Sequence, residues 1–236
     1  MKQVLAILFF LVTISIYGQS QKTELQLTKD SDTTFWKGYR IKDLANFKLP
    51  NLNTESEFVF RSWNPGSLLE ISKNQDSVKA KIIYFVYEVW ENDYKADTFV
   101  KEYYLPDSTA TELYKYVSKS GIQKIPSDEY IEEWKHGFDG ITHIYEMKEN
   151  NLYSFKNFWT PKSQNGLKEA EFIIEFNKRI REIGNLKQYG DDFSNSVPFI
   201  TYTYSGVAYS ITKPPTKKEW RKYKRERKKR INKNKR

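Results

Sequence analysis

Hydrophobic residues occupy both faces of an extended segment at residues 78–90 of this 236-residue chain. Alternate residues of a strand point to opposite sides, so Ile82 and Val86 share one side while Ile83 and Phe85 share the other. A strand that is apolar on both sides is buried between two layers of structure. The pattern therefore predicts a central strand, with Phe85 and Val86 in the core.

Shorter strand patterns flank this segment on both sides. Residues 58–63 and 68–72 precede it and residues 97–105 follow it, and the connections are rich in Asn, Asp, Pro and Gly. Short apolar runs that are bounded by such residues are typical of hairpins. We therefore expect these strands to form an antiparallel meander.

Helical patterns appear in two segments. After Pro106, Thr109 and Glu112 stand at the spacing of a capping box, which satisfies free amide groups at a helix start. The short helix that follows is predicted to end at Gly121. In residues 166–183 apolar side chains recur at helical spacing, with acids near the start and bases near the end, as the helix dipole favours. We expect this second helix to be the longest.

The remaining strand patterns predict two more hairpins. Residues 141–147 pair with 152–158, and residues 197–204 pair with 207–212, while the segment around Asp191 and Asp192 is predicted to be a loop. Together the elements predict one α+β domain, with an antiparallel sheet of about six to eight strands and two or three helices on one face.

The chain begins with an apolar run. Lys2 precedes apolar residues 4–16, and the small residues Gly18 and Ser20 follow, which is the order of a secretory signal. The run is shorter than the roughly 20 residues that a membrane-spanning helix needs. We therefore expect residues 1–18 to be a signal peptide that is removed, and the mature protein to be exported to the periplasm or the extracellular space. An uncleaved anchor is the alternative.

The chain contains no cysteine. This excludes disulfides, catalytic thiols, thiolate metal sites and a thioether-linked lipid anchor. The fold must therefore be stabilised by an ordinary hydrophobic core.

Positive charge is concentrated at the C-terminal end. Residues 216–236 contain 13 Lys or Arg and two Glu, a net charge of +11, whereas the whole chain carries +9. Because Lys2 contributes one further positive charge, the residues between carry −3. We therefore predict a signal peptide at 1–18, an α+β domain at 19–213 and a basic tail at 214–236 that is disordered or loosely helical when free.

The basic tail is expected to attract polyanions. An exported protein meets anionic lipid headgroups or envelope glycans more often than nucleic acid, so an anionic envelope surface is the partner that we expect. A solvated tail that only aids solubility is the alternative. The residues expected to bind the polyanion are Lys217, Lys218, Trp220, Arg221, Lys222, Tyr223, Lys224, Arg225, Arg227, Lys228, Lys229 and Arg230.

Candidate catalytic side chains gather in residues 132–146. Imidazole and carboxylate groups are ordinary zinc ligands, but the spacing of the two histidines fits neither one helix face nor one strand face. Asp139 with Gly140 is also the sequence of a simple turn. His136, Asp139 and His143 are therefore weak catalytic candidates, and we predict neither a metal site nor a cofactor. The polar residues of the segment are Glu132, Glu133, His136, Asp139, His143 and Glu146.

Other chemistry has no motif support. The chain has neither a nucleophile elbow nor a glycine-rich phosphate loop. Trp63, Trp134 and Trp159 stand at strand ends, where exposed indoles stack on sugars, yet aromatic residues of antiparallel sheets mostly fill the core. We therefore favour a non-enzymatic binding domain of the cell envelope. A small envelope hydrolase or metal-dependent enzyme that uses residues 132–146 is the alternative.

Overall fold

The structure, a computed structural model, describes residues 25–89, 97–205 and 209–234, except for the side chains of residues 226, 227 and 230–234. The expected signal peptide therefore lies outside the described residues. The strands are β1 (Gln26–Leu27), β2 (Phe58–Asn64), β3 (Ser67–Asn74), β4 (Ser77–Glu88), β5 (Thr98–Tyr104), β6 (Thr142–Glu149), β7 (Leu152–Trp159), β8 (Thr201–Tyr204) and β9 (Ile211–Thr212). The α-helices are α1 (Trp36–Asn46), α2 (Asp107–Ser120), α3 (Lys168–Ile183), α4 (Leu186–Ser196) and α5 (Lys217–Asn234). Short 3₁₀ helices span Ile122–Lys124, Asp128–Tyr130 and Pro161–Ser163.

The nine strands form one mixed sheet in the order β1-β7-β6-β2-β3-β4-β8-β9, with β5 also paired to β4. Strands β2 to β5 are successive antiparallel neighbours, which confirms the predicted meander. The predicted β6–β7 hairpin is confirmed as well. The sheet is mixed because β1 pairs in parallel with β7. The α+β class and the single domain are therefore confirmed, and the sheet is one strand larger than expected.

One face of the sheet packs against α2 and α3. Phe60 and Ile82 from the strands meet Leu113 of α2 together with Ile173 and Phe176 of α3, and all five side chains are buried. The apolar residues that recur at helical spacing in residues 166–183 therefore form the face of α3 that packs on the core.

The opposite face packs against α1, which the sequence did not predict. Trp63, Phe85 and Phe155 of the strands form a second buried cluster with Phe47, just beyond α1. Helices therefore cover both faces of the sheet, and the expectation of helices on one face is wrong. Strand β4 lies between the two layers, and both Phe85 and Val86 have 0% exposure, which confirms the prediction of a buried central strand.

Helix boundaries differ from the prediction in two further places. Pro106 is the N-cap of α2, so Thr109 already lies in the first turn and the expected capping box does not form. The helix does end at Gly121, in a left-handed conformation with φ 85°. Helix α5 has 18 residues against 16 in α3, so α3 is not the longest helix.

Residues 186–196, predicted to be a loop, form α4. The reason is tertiary packing: Phe193 is fully buried, with its ring stacked on those of Tyr84 and Phe99. In the last hairpin, Thr201 and Tyr202 of β8 pair with Thr212 and Ile211 of β9, and residues 206–208 of the predicted hairpin lie outside the described residues.

Candidate functional site

The polar segment at residues 132–146 does not converge on one place. Glu132, Glu133, His136 and Asp139 are exposed in the loop before β6. His143 and Glu146 lie on β6 with odd spacing, so their side chains project to opposite faces of the sheet.

The two histidines lie in different surroundings. The ring of His136 stacks on that of Trp159 at 6.4 Å between centroids. His143 shares a 3.0 Å hydrogen bond between Nδ1 and Asn64 Oδ1 on the side of the sheet that α2 and α3 cover. Burial lowers the pKa of His143 to about 4, so its imidazole is neutral at physiological pH.

Two glycines bring the loop that carries Asp139 against the indole of Trp159. A Cβ on Gly137 would lie 2.8 Å from the indole ring, and a Cβ on Gly140 would lie 2.0 Å from Thr160 Oγ1. Because only glycine lacks a Cβ, only glycine at these two positions lets the loop approach Trp159 so closely. The sequence predicted a simple turn at Asp139 and Gly140, whereas the loop that contains them also packs against Trp159.

A carboxylate pair that the sequence did not reveal lies beside this loop. Asp128 Oδ2 accepts a 2.6 Å hydrogen bond from the Trp159 amide, and Asp128 Oδ1 accepts a 3.1 Å bond from Asn157 Nδ2. The same Nδ2 lies 3.3 Å from Asp32 Oδ2. Burial raises the pKa of Asp128 to about 6, and the charge of Asp32 adds to this effect. No local motif joins these residues, because they come from separate parts of the chain.

A cleft of about 450 Å³ opens between residues 132–135 and 163–167. Gln164 ties its two walls together: its Oε1 accepts from the Lys135 amide at 2.9 Å and its Nε2 donates to the Lys135 carbonyl at 2.8 Å. Glu132 and Glu133 line this cleft. Its polar walls suit a small polar ligand, although neither histidine lines it.

The three tryptophans at strand ends mainly fill the core. Trp63 and Trp134 are buried, and the indole N–H of Trp134 donates to the Trp159 carbonyl at 2.9 Å. Trp159 is half-buried beneath the loop described above. The prediction that these positions serve packing is therefore confirmed for Trp63 and Trp134.

A buried charge network lies between α1 and the sheet. Arg61 has 1% exposure and donates from Nε to Glu70 Oε2 at 2.7 Å, and its Nη1 lies 3.7 Å from Glu146 Oε2. On α1, Arg40 and Asp43 form a buried ion pair at 3.1 Å. Burial raises the pKa of Glu146, and Arg61 opposes that rise. Glu146 thus belongs to a buried ion-pair network on the face of the sheet that α1 covers.

The basic tail starts from a point that is fixed to the domain. Lys213 Nζ donates to the carbonyls of Ser194 at 2.5 Å and Val197 at 3.0 Å, at the C-terminal end of α4. Three residues later, the Thr216 amide donates to Glu219 Oε2 at 2.8 Å, and the Glu219 amide donates to Thr216 Oγ1 at 3.2 Å. These reciprocal bonds are a complete capping box, which defines the start of α5.

Helix α5 displays cations around a pair of stacked rings. The Trp220 and Tyr223 rings lie 5.3 Å apart with 7° between their planes, and Lys224 Nζ lies 5.2 Å from the Trp220 ring centroid. The side chains of Arg227 and Arg230 are outside the described set. The exposed cations of the described part are Lys217, Lys218, Arg221, Lys222, Lys224, Arg225, Lys228 and Lys229.

Within residues 25–89, 97–205 and 209–234, no three His, Asp or Glu side chains are grouped so that they could hold a metal ion. No helix in the same ranges has the length and apolar character needed to cross a bilayer.

Comparison with known proteins gives no family for this chain. A scan against protein-family models matches none of them, and a search of curated proteins finds no significant match. The side chains described above are therefore the basis for inferring a function.

Proposed function

We propose that this protein is an exported, non-enzymatic binding protein that attaches to an anionic surface of the cell envelope through helix α5. The surface is formed by lipid headgroups or by acidic glycans. The observation that carries the proposal is the display of eight exposed Lys and Arg side chains on one capped helix.

Electrostatics favours this use of α5. The tail carries +11 while the rest of the mature chain carries −3, so an anionic surface attracts the tail and weakly repels the domain. Each Lys or Arg close to an anionic membrane contributes about 1 kcal/mol, so several of them together give appreciable affinity. Salt screens such contacts over about 8 Å at physiological ionic strength.

The anchored start of α5 also supports the proposal. Lys213 holds the chain against α4, and the capping box then starts the helix within three residues. The cations are therefore presented from a defined point on the domain. This arrangement lowers the conformational entropy that the tail would lose on binding.

The alternative is a small envelope hydrolase or metal-dependent enzyme that uses residues 132–146. It has less support, because His136 stacks on Trp159 in the loop before β6, while His143 bonds to Asn64 on the side of the sheet that α2 and α3 cover. Glu146 is also committed to the network around Arg61.

The proposal is tested with protein from residue 19 onward, intact and with residues 216–236 deleted. Sedimentation with vesicles of pure phosphatidylcholine or with added phosphatidylglycerol measures lipid binding, and a heparin column measures binding to an acidic glycan. We expect the intact protein to bind at least one anionic probe at low salt, and the shortened protein to lose that binding. Unchanged binding after deletion, or no binding of the intact protein to either probe, contradicts the proposal.

A further inference from the structure

Helix α1 buries two charged residues and exposes large apolar ones. Its two fully buried residues are the charged pair Arg40 and Asp43, which face the sheet. Its outward positions carry large apolar side chains, with exposures of 57% for Phe35 at the N-cap, 43% for Tyr39 and 57% for Ile41. A surface helix normally points its apolar stripe inward and its charges outward.

The exposed rings of Phe35 and Tyr39 adjoin the half-buried ring of Trp36. Phe35 lies 5.1 Å from Trp36 and 4.9 Å from Tyr39, measured between ring centroids. Trp36 and Tyr39 lie 5.7 Å apart. Adjoining exposed rings mark a contact site more often than scattered apolar residues do.

The charge around this cluster is positive. Lys42 Nζ lies 5.4 Å from the Tyr39 ring centroid, and Lys37 Nζ lies 5.3 Å from the ring of Tyr153. Asp43, the one acidic residue of α1, is buried. Before the helix, the Asp32 carboxylate accepts hydrogen bonds from the Thr34 amide and hydroxyl. Among its own residues, the outer face of α1 therefore presents aromatic rings and the ammonium group of Lys42, which complements an anionic surface.

Helix α5 shows the same arrangement on a second surface. Lys224 lies over Trp220 there, as Lys42 lies over Tyr39 on α1. Tyr and Trp rings occupy the boundary between lipid headgroups and acyl chains, while Lys stems lie along apolar surface and keep the ammonium in water. A glycan offers no apolar layer that would accept Phe35 and Ile41.

We infer that the outer face of α1, with Phe35, Tyr39, Ile41 and Lys42, is a second contact that enters the headgroup layer of an anionic lipid bilayer. This inference rests on the proposed function of α5 and selects lipid as the anionic surface. Helix α5 supplies long-range attraction, and α1 supplies the shallow apolar insertion that amphipathic helices make at an interface. The buried Arg40–Asp43 pair fixes which face of α1 is turned outward.

The absence of cysteine permits a direct test with one attached probe. A Cβ at Gly38, on the outer side of α1, would meet no atom within 4 Å, so Gly38→Cys fits without strain. A polarity-sensitive nitrobenzoxadiazole label is attached there in the chain from residue 19 onward. Lys119→Cys carries the same label as the matched control, because Lys119 is exposed on α2 across the sheet.

We expect the label at position 38 to shift to the blue and brighten about twofold with phosphatidylglycerol vesicles, because it leaves water. The label at position 119 stays unchanged. Phe35→Ser with Tyr39→Ser is expected to weaken vesicle binding about tenfold without changing heparin binding, since two apolar anchors are lost. Phe138→Ser, another exposed aromatic position outside α1, serves as its control and leaves vesicle binding unchanged.

The outcomes separate this inference from the proposed function. If vesicles are bound but the label at 38 does not respond, or if the protein binds heparin and no vesicle, the α1 contact is wrong and α5 binding stands. If the intact protein binds neither probe, both fail. If the label responds to rising protein concentration without lipid, the face pairs with a second copy and the lipid contact is overturned.

Discussion

Replacing Arg61 by Met tests whether the buried charges beneath α1 stabilise the fold. Arg61 donates to Glu70 and to the carbonyls of Pro50 at 2.9 Å and Asn51 at 2.7 Å. Methionine fills much of the same volume but provides no donor. The substitution therefore leaves Glu146 and two carbonyl groups without the Arg61 guanidinium, while Glu70 keeps Lys81 at 3.7 Å.

The magnitude follows from burial. Removing one partner of a buried ion pair costs about 3–5 kcal/mol of unfolding free energy, because the remaining charge stays desolvated. The Arg61 side chain is 1% exposed and that of Glu146 is 8% exposed, so water cannot replace the lost donor. A matched control is Arg179→Met: Arg179 is 49% exposed and pairs with Glu112 at 3.7 Å, so its loss costs less than about 1 kcal/mol.

The cost should also depend on pH. Burial already raises the pKa of Glu146, and the loss of Arg61 raises it further. A carboxyl group whose pKa is higher in the folded state binds a proton more readily when the protein is folded. The free energy of unfolding therefore decreases as pH rises and that carboxyl group ionises. Arg61→Met should therefore destabilise the protein less at pH 5 than at pH 7.

Urea denaturation of both variants at the two pH values measures this effect. An unfolding free energy within about 1 kcal/mol of the parent protein would refute the role given to the ion pairs. A large loss that is equal at pH 5 and pH 7 would assign the cost to packing rather than charge.

Three further predictions concern the core, the histidines and export. Phe85→Ala should lower the unfolding free energy by about 3–5 kcal/mol, whereas Val100→Ala on the exposed side of β5 should cost far less; equal losses would contradict the packing of β4. His136→Ala with His143→Ala should leave metal content, measured by mass spectrometry, unchanged, and loss of a stoichiometric metal would favour the enzyme alternative. The intact mass of protein from its native envelope should lack residues 1–18, and the full-length mass would refute cleavage.

The sequence predicted best where apolar periodicity alone decides the structure. Strand β4 is apolar on both sides because it lies between two layers, and both its position and the meander around it are confirmed. Helix α1 was missed for the opposite reason: Arg40 and Asp43 interrupt its inward side between the half-buried Trp36 and Leu44, so its apolar stripe is incomplete. Helix α4 was missed because the packing of Phe193 overrides a sequence that contains Gly190 and two adjacent acids.

The candidate site was harder to predict than the fold. The sequence predicted a capping box at Thr109, but none forms there. A complete capping box forms instead at Thr216, in the tail that was predicted from its charge alone. The Asp32–Asn157–Asp128 cluster and the network around Arg61 each join residues from separate elements. Such contacts depend on strand register, which a single sequence does not display.

The most direct test of anionic-surface binding changes charge without shortening the chain. The tail variant replaces Arg221, Lys222, Arg225 and Lys228 by Gln, which keeps helix propensity and removes four positive charges. Its matched control replaces four exposed lysines of the domain by Gln, so that net charge falls equally. These control positions are Lys115, Lys119, Lys124 and Lys162.

The measurement is the dissociation constant of each variant for phosphatidylglycerol vesicles and for heparin at several salt concentrations. At low salt we expect the tail variant to bind at least about 100-fold more weakly than the parent protein to whichever probe the parent binds, with a shallower salt dependence. The control variant should change by less than about threefold. Equal weakening of the two variants would show that net charge rather than helix α5 governs attachment, and would contradict the proposed function.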